Sequence, residues 1–303
     1  MSYNERFHET WMEHTCANGL SVVLFHKPQF LTSAFMLLTP FGSFDLLEQD
    51  ERGMLHEFPA GTAHFLEHKL FESGREDVMM AFSRLGANVN ASTSNDSTAY
   101  FFTTPQEEVA PALNLLLDFV QDLSISEETV EKEKTIIREE LAMYMQDPDS
   151  RLFLEMMRSL YPSHPIRNDI VGTEESIQKI TKEDLIRAHT LNCHPSRMTL
   201  IAASPRDPKT LIEIIEANQA KKEFPEPLNL KRVIKEENLK FIRPMVTVPM
   251  AIEHPRSAAA FLLEYPALNG KELLKAEWAL RFALETLFSP LNPEYQKWID
   301  EGK

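Results

Sequence analysis

The chain has 303 residues, 43% hydrophobic and 25% charged, with a formal net charge of −15. That is the balance of a soluble globular protein, long enough for one large domain or two ordinary ones. The acidic excess disfavours nucleic acid and anionic membranes as general partners, and no run of apolar residues is long enough to span a bilayer.

The two cysteines, Cys16 and Cys193, are far apart and form no disulfide framework. They point to a reducing, cytoplasmic setting and exclude a thiolate zinc finger, so a metal would be held by histidine and carboxylate. The N-terminus is polar and lacks an apolar signal region.

In chain order, residues 13–27 read as a hairpin around the Asn18-Gly19 turn. A second strand over 33–38 ends at Pro40-Phe41-Gly42-Ser43, and a polar loop runs on to Pro59. Gly61-Thr62 then opens an apolar helix, with Thr62 as the cap. This helix carries His64-Phe65-Leu66-Glu67-His68. Two histidines four apart share one helix face with the glutamate beside the second. Catalytic zinc needs that chemistry: two neutral imidazoles and a carboxylate beside the attacking water. The order is the inverse of the commoner His-Glu-x-x-His zinc helix.

A helix over 77–85 stops at Gly86, and strands over 88–94 and 98–104 pair around Asn95-Asp96. Met79, Met80, Phe101 and Phe102 read as core residues. Residues 107–121 place Leu113, Leu116 and Leu117 at helical spacing. Ser126 caps a long helix to about Met145, and Asp147-Pro148-Asp149 ends it. Further helices cover 150–160, 182–191 after the Thr181 cap, and 207–220, with a short buried strand over 198–203. His164 lies between Pro162 and Pro165 and reads as a loop residue; His56 and His189 have no partner at ligand spacing.

A third ligand is expected from the long helix. Glu133 and Glu140 are seven apart, two turns on one face, so both can address one partner helix. Glu140 is the candidate ligand and Glu133 the residue that hydrogen-bonds behind it. Glu139 is turned away by about 100°. The competing reading makes this glutamate run a solvated helix face.

Pro225, Pro227 and clustered charges mark a linker at 221–240 between an N-terminal domain, 1–220, and a second unit, 241–303. In that unit strands over 246–252 and 258–264 and a helix over 271–287 restart the strand-strand-helix order. With only about 60 residues it reads as a truncated domain. The expected fold is α+β: a mixed or antiparallel sheet covered by helices, one complete unit plus the start of a second homologous, metal-free one.

Taken together, the five-residue pattern, Gly61-Thr62-Ala63 before it and Glu131-Lys132-Glu133-Lys134 before Glu140 resemble the insulinase (pitrilysin) family of zinc peptidases, in its bacterial, mitochondrial-processing-peptidase-like branch. Asn90-Ala91-Ser92-Thr93-Ser94 with Thr98-Ala99-Tyr100 resembles the family's active-site edge strand; Gly172-Thr173-Glu174-Glu175-Ser176-Ile177 and Pro195-Ser196-Arg197-Met198 resemble later landmarks. The resemblance spans about residues 13–288. It implies one zinc per chain on His64, His68 and Glu140, with Glu67 as the base, Glu133 behind the ligands, and Asn90, Ala91 and Ser92 on an extended or unfolded peptide substrate. It further implies a homologous peptidase subunit or a second copy as partner. The 71 residues between His68 and Glu140 are fewer than is usual in the family, which suggests a shortened loop. Most of the family's second half, including a substrate-contacting arginine and tyrosine, has no counterpart here. The leading reading is a zinc endopeptidase. The alternatives are a non-catalytic, substrate-binding partner subunit and a metal-free helical domain with a coincidental pattern.

Overall fold

The computed structural model describes residues 2–72, 77–234, 245–262 and 268–302. Two units are distinguished, 1–259 and 260–303. The first is built on a seven-stranded mixed sheet. A short strand β1 (Ser2–Asn4) pairs with β2 (Glu9–Thr15), which forms the expected hairpin with β3 (Ser21–His26). Gly19 makes that turn possible: its φ of +92° lies where only glycine is unstrained. β4 (Ser33–Thr39) follows.

The stretch between Ser43 and Pro59, expected to be loop, holds a small hairpin of β5 (Leu47–Gln49) and β6 (Leu55–Glu57). Three-residue strands give too short an alternation to read from sequence. What fixes them is the turn, where Asp50 Oδ1 accepts from the N–H groups of Arg52 and Met54 at 3.0 and 2.8 Å.

Next come α1 (Thr62–Phe71), α2 (Val78–Arg84), and the antiparallel pair β7 (Asn88–Thr93) and β8 (Thr98–Thr104). α3 (Ala110–Gln121) starts three residues later than periodicity suggests, with Pro111 in its first turn, where a missing N–H costs nothing. α4 (Glu127–Gln146) is opened by a capping box between Ser126 and Thr129. Asp147 ends α4 and caps α5 (Pro148–Leu160) by accepting the Ser150 N–H. α6 (Glu174–Lys179), too short to show periodicity, and α7 (Lys182–Asn192) each have their own capping box. β9 (Thr199–Ser204) and α8 (Pro208–Gln219) complete this part.

The strand order is β1-β2-β3-β9-β4-β8-β7, so β7 is an edge. β9 runs parallel to β3 and antiparallel to β4. The core is aromatic at its centre: Phe35 stacks on Phe102 at 5.0 Å, with Phe82 and Phe119 edge-on beside Tyr100. Leu113, Leu116 and Leu117 are fully buried, as their spacing requires. Phe102 is core too, but Met79 and Met80 are exposed: α2 buries Val78 and Phe82 instead, and the two methionines fall on its outer face. Burial pushes the Cys16 and Cys193 thiols up to about 12, the thiolate being disfavoured away from water.

Residues 221–234, linker by composition, run along the first unit. β10 (Lys231–Arg232) pairs with β5, and Arg232 grips the buried Asp45 carboxylate with two hydrogen bonds of 2.7 Å. Residues 246–252, expected as a strand, are irregular; Pro249 removes a ladder donor there. Residues 258–262 are also irregular, and the rest of that expected strand lies outside the described residues. The second unit contains α9 (Gly270–Phe288) and α10 (Tyr295–Asp300). Among the described residues, no helix is long and apolar enough to cross a membrane.

α1 is placed by two glycines. Gly61, not Thr62, is its N-cap, in the left-handed region at φ +91°; Thr62 instead donates its hydroxyl to the Pro59 carbonyl at 2.7 Å. A Cβ on Gly61 would lie 2.3 Å from the Val171 carbonyl oxygen, and one on Gly172 2.6 Å from that of Ala60. Two backbone segments touch here because neither has a side chain. Gly61→Ala is therefore expected to destabilise the protein by about 1–3 kcal/mol, read as a lowered urea midpoint. An unchanged midpoint would mean that this contact does not constrain the fold.

Candidate metal centre

α1 is buried on most of its circumference, with Phe65, Leu66 and Leu70 in the core. Its histidines therefore point into protein. His64 is 8% exposed, and the His64 and His68 rings lie 4.5 Å apart. α4 packs across α1. Its buried stripe of Val130, Glu133, Ile137 and Leu141 sets the rotation, which brings Glu140 over the two rings and leaves Glu139 exposed.

Glu140 Oε1 is 3.7 Å from His64 Nε2, and Oε2 is 3.4 Å from His68 Nε2. These are longer than good N–H···O hydrogen bonds. They match the separation of two ligands on one tetrahedral zinc, about 3.3 Å for bonds of about 2.0 Å. One donor atom from each of His64, His68 and Glu140 lies within 4.8 Å of the others. Two imidazoles and one carboxylate, no thiolate, fit zinc.

Behind this trio, Glu133 is almost fully buried and its Oε1 lies 3.0 Å from His68 Nδ1. If Nδ1 carries the proton, Nε2 is left to face Glu140. Lys69, also buried, sits 3.7 Å from the other Glu133 oxygen and donates to Glu72 and the Thr129 carbonyl. Among the described residues, the buried His64 Nδ1 has no hydrogen-bond partner.

The environment separates the two rings electrostatically. Burial, with the charge on His68, pushes His64 down to about 4, so it is neutral at pH 7. Burial also opposes charge on His68, but the Glu133 and Glu140 carboxylates outweigh it and hold His68 up at about 9. Glu133 and Glu140 are lowered in turn. Burial opposes this at Glu133 and the His68 hydrogen bond prevails; at Glu140 the interaction with His68 dominates.

Glu67 faces the cavity from the same helix. Burial raises its carboxyl, partly offset by a hydrogen bond from the Thr93 hydroxyl on β7. The cavity, about 540 Å³, is walled by Ala91, Ser92 and Thr93 on one side and by Tyr144, Phe153 and Asp169 on the other. Asn90 is exposed, its Oδ1 accepting from the Ala91 N–H, and does not line it. Thr93 and Tyr144 were not singled out in the sequence. Tyr144 lies one turn beyond Glu140 on α4, a spacing that could have found it; Thr93 needed the strand-to-helix contact. His164 caps a short turn by accepting the Ile166 N–H, and His189 binds the Val120 carbonyl, so both have local structural roles.

A family model described as "Insulinase (Peptidase family M16)" matches residues 51–174. The chain is 38% identical over 98% of its length to a Bacillus subtilis protein named as an uncharacterized zinc protease, YmfH, of which it covers 70%. It is 27% identical over 75% of its length to the beta subunit of the Neurospora crassa mitochondrial-processing peptidase, of which it covers 47%. Among solved structures it is similar to an M16-like peptidase of Alicyclobacillus acidocaldarius, with a TM-score of 0.85, 37% identity, and 97% of this chain and 69% of that one covered.

Two predictions follow from the geometry. At this site Glu140→Gln is expected to abolish tight zinc binding and Glu133→Gln to weaken it by about 10- to 100-fold, with Glu139→Gln unchanged, measured by competition with a chromophoric chelator. Loss in Glu139→Gln alone would put the helix register off by one residue. The second concerns protons. His68 is held above its unfolded value, so its ion pairs stabilise the metal-free fold fully below pH 6.5 and lose that effect as pH rises through about 9. Zinc takes the His68 Nε2 lone pair, so uptake at this site near pH 7.5 should expel about one proton. Calorimetry in buffers of different ionisation enthalpy reads this number; a release of zero would contradict the charged His68.

Proposed function

The chain belongs to the insulinase family (peptidase family M16), and we propose that it is a zinc-dependent endopeptidase that hydrolyses peptide bonds in extended or unfolded peptides. The observation that carries this reading is the placement of both Glu140 oxygens opposite the two histidine Nε2 atoms, with Glu67 on the same cavity. His64, His68 and Glu140 would hold the metal. Zinc, when bound, supplies a Lewis acid that polarises a carbonyl and acidifies water.

The remaining work falls to this chain's own side chains and backbone. Glu67 takes a proton from the attacking water and returns it to the leaving amine. Its raised pKa suits both transfers, since a base closer to neutrality also makes a better acid. Thr93 holds the carboxylate toward the cavity with its hydroxyl. Glu133 orients His68.

β7 is an edge strand beside the metal ligands. An extended peptide adds to it by main-chain hydrogen bonds at Ala91 and Ser92, with Asn90 preceding them. Recognition through backbone tolerates many sequences and excludes folded substrates, whose backbone groups are already paired. A second homologous peptidase unit is the partner this reading implies; the Neurospora relative, named as one subunit of its enzyme, supports it. The unpaired cysteines support a cytoplasmic setting.

The test is cleavage of an internally quenched, unstructured peptide by zinc-loaded protein. Glu67→Gln should retain zinc and lower kcat by about 10²–10⁴-fold; full activity in the loaded variant would remove Glu67 as the base. Thr93→Val deletes a hydrogen bond to the ionised carboxylate, which raises the Glu67 pKa further. The acid limb of the kcat/KM profile should therefore move to higher pH, and an unmoved limb would show that Thr93 does not tune the base.

A further inference from the structure

A second group of ligand-type side chains sits on elements that contribute nothing to the first. His14 ends the inward face of β2, Cys16 follows in the turn to β3, and Glu216 lies on α8. One donor atom from each, an imidazole nitrogen, a thiol sulfur and a carboxylate oxygen, lies within 4.8 Å of the others. His14 Nε2 and Glu216 Oε1 are 2.6 Å apart. Cys16 is 3% exposed and has no disulfide partner.

Rigid structure holds each donor. The Cys16 N–H donates to the Leu20 carbonyl at 2.9 Å and its own carbonyl accepts from Gly19, which fixes the turn. Leu211 and Ile215 are buried and set the rotation of α8. Asn18 donates to Gln219 at 2.8 Å, a second tie between the same turn and the same helix.

We propose that His14, Cys16 and Glu216 form a second metal site, taking a zinc-class divalent transition ion that ties the β2–β3 turn to α8. Thiolate, imidazole and carboxylate together select a borderline ion over magnesium or calcium, which prefer all-oxygen shells. The ion displaces the Cys16 thiol proton, which leaves to solvent, and takes the Nε2 lone pair of neutral His14, whose one ring proton then sits on Nδ1. The His14–Glu216 contact opens from hydrogen-bond distance to the ligand spacing of about 3.3 Å; both side chains are about one-third exposed and free to make that adjustment.

The probe is cobalt(II) added to the metal-free full chain. A thiolate ligand gives a sulfur-to-cobalt charge-transfer band in the near ultraviolet, which the sulfur-free His64–His68–Glu140 trio cannot produce. The band is expected in the unmutated protein, in Glu140→Gln and in Cys193→Ser, and is lost in Cys16→Ser. His14→Gln and Glu216→Gln, at partly exposed positions, are expected to weaken cobalt affinity read on that band by about tenfold or more; they carry the test if Cys16→Ser fails to fold. No band at saturating cobalt, a band that survives in Cys16→Ser, or one of unchanged affinity in both His14→Gln and Glu216→Gln would overturn the proposal. Because Glu140→Gln leaves this readout intact, failure here is separate from failure of the peptidase reading.

Discussion

The packing of α4 across α1 is the constraint on which the candidate centre depends. Neither helix carries a complete donor set. Their contact aligns His64 and His68 with Glu140, and the same contact lets His68 Nδ1 reach Glu133 two helical turns earlier. Burying Glu133 and Lys69 in the seam is costly for isolated charges. Each is therefore paired: Glu133 with His68 and Lys69, and Lys69 also with Glu72 and a backbone carbonyl. A seam built from opposed buried charges has few alternative registers, because a slip of one residue would strand one of them.

The edge of the sheet connects to this seam through Thr93, which joins β7 to Glu67. Beyond Thr93 the turn into β8 is anchored from the other side. Ser43 and Phe44 donate backbone hydrogen bonds to the carbonyls of Ser94 and Asn95, and Arg232 reaches the Asp96 carbonyl while holding Asp45. Residues 221–234 thus brace the hairpin that forms one wall of the cavity. A wall held at both ends presents a straight strand edge, which backbone recognition of an extended peptide requires.

Much of the fold was legible because the responsible interactions are local. Ser126, Thr181 and Asp207 cap helices as their positions suggest, Asn18-Gly19 turns the first hairpin, and the leucines of α3 face the core. The errors have local causes as well. The β5–β6 hairpin and α6 are too short to show a period. Thr62 has the chemistry of a cap, but the backbone there is left-handed, so Gly61 takes the place. Met79 and Met80 lie on the outer face of a helix whose buried side is Val78 and Phe82.

By itself the sequence determined which residues could bind a metal and which could share a helix face: His64, Glu67 and His68 by their four-residue span, Glu133 and Glu140 by their seven. Those are properties of helical periodicity, fixed by covalent geometry and independent of the rest of the chain. Only the tertiary structure decided that the two helix faces meet, that Thr93 rather than Asn90 turns toward Glu67, and that His14, Cys16 and Glu216 converge from positions about 200 residues apart. Such meetings depend on packing between elements distant in sequence, and no local period encodes them.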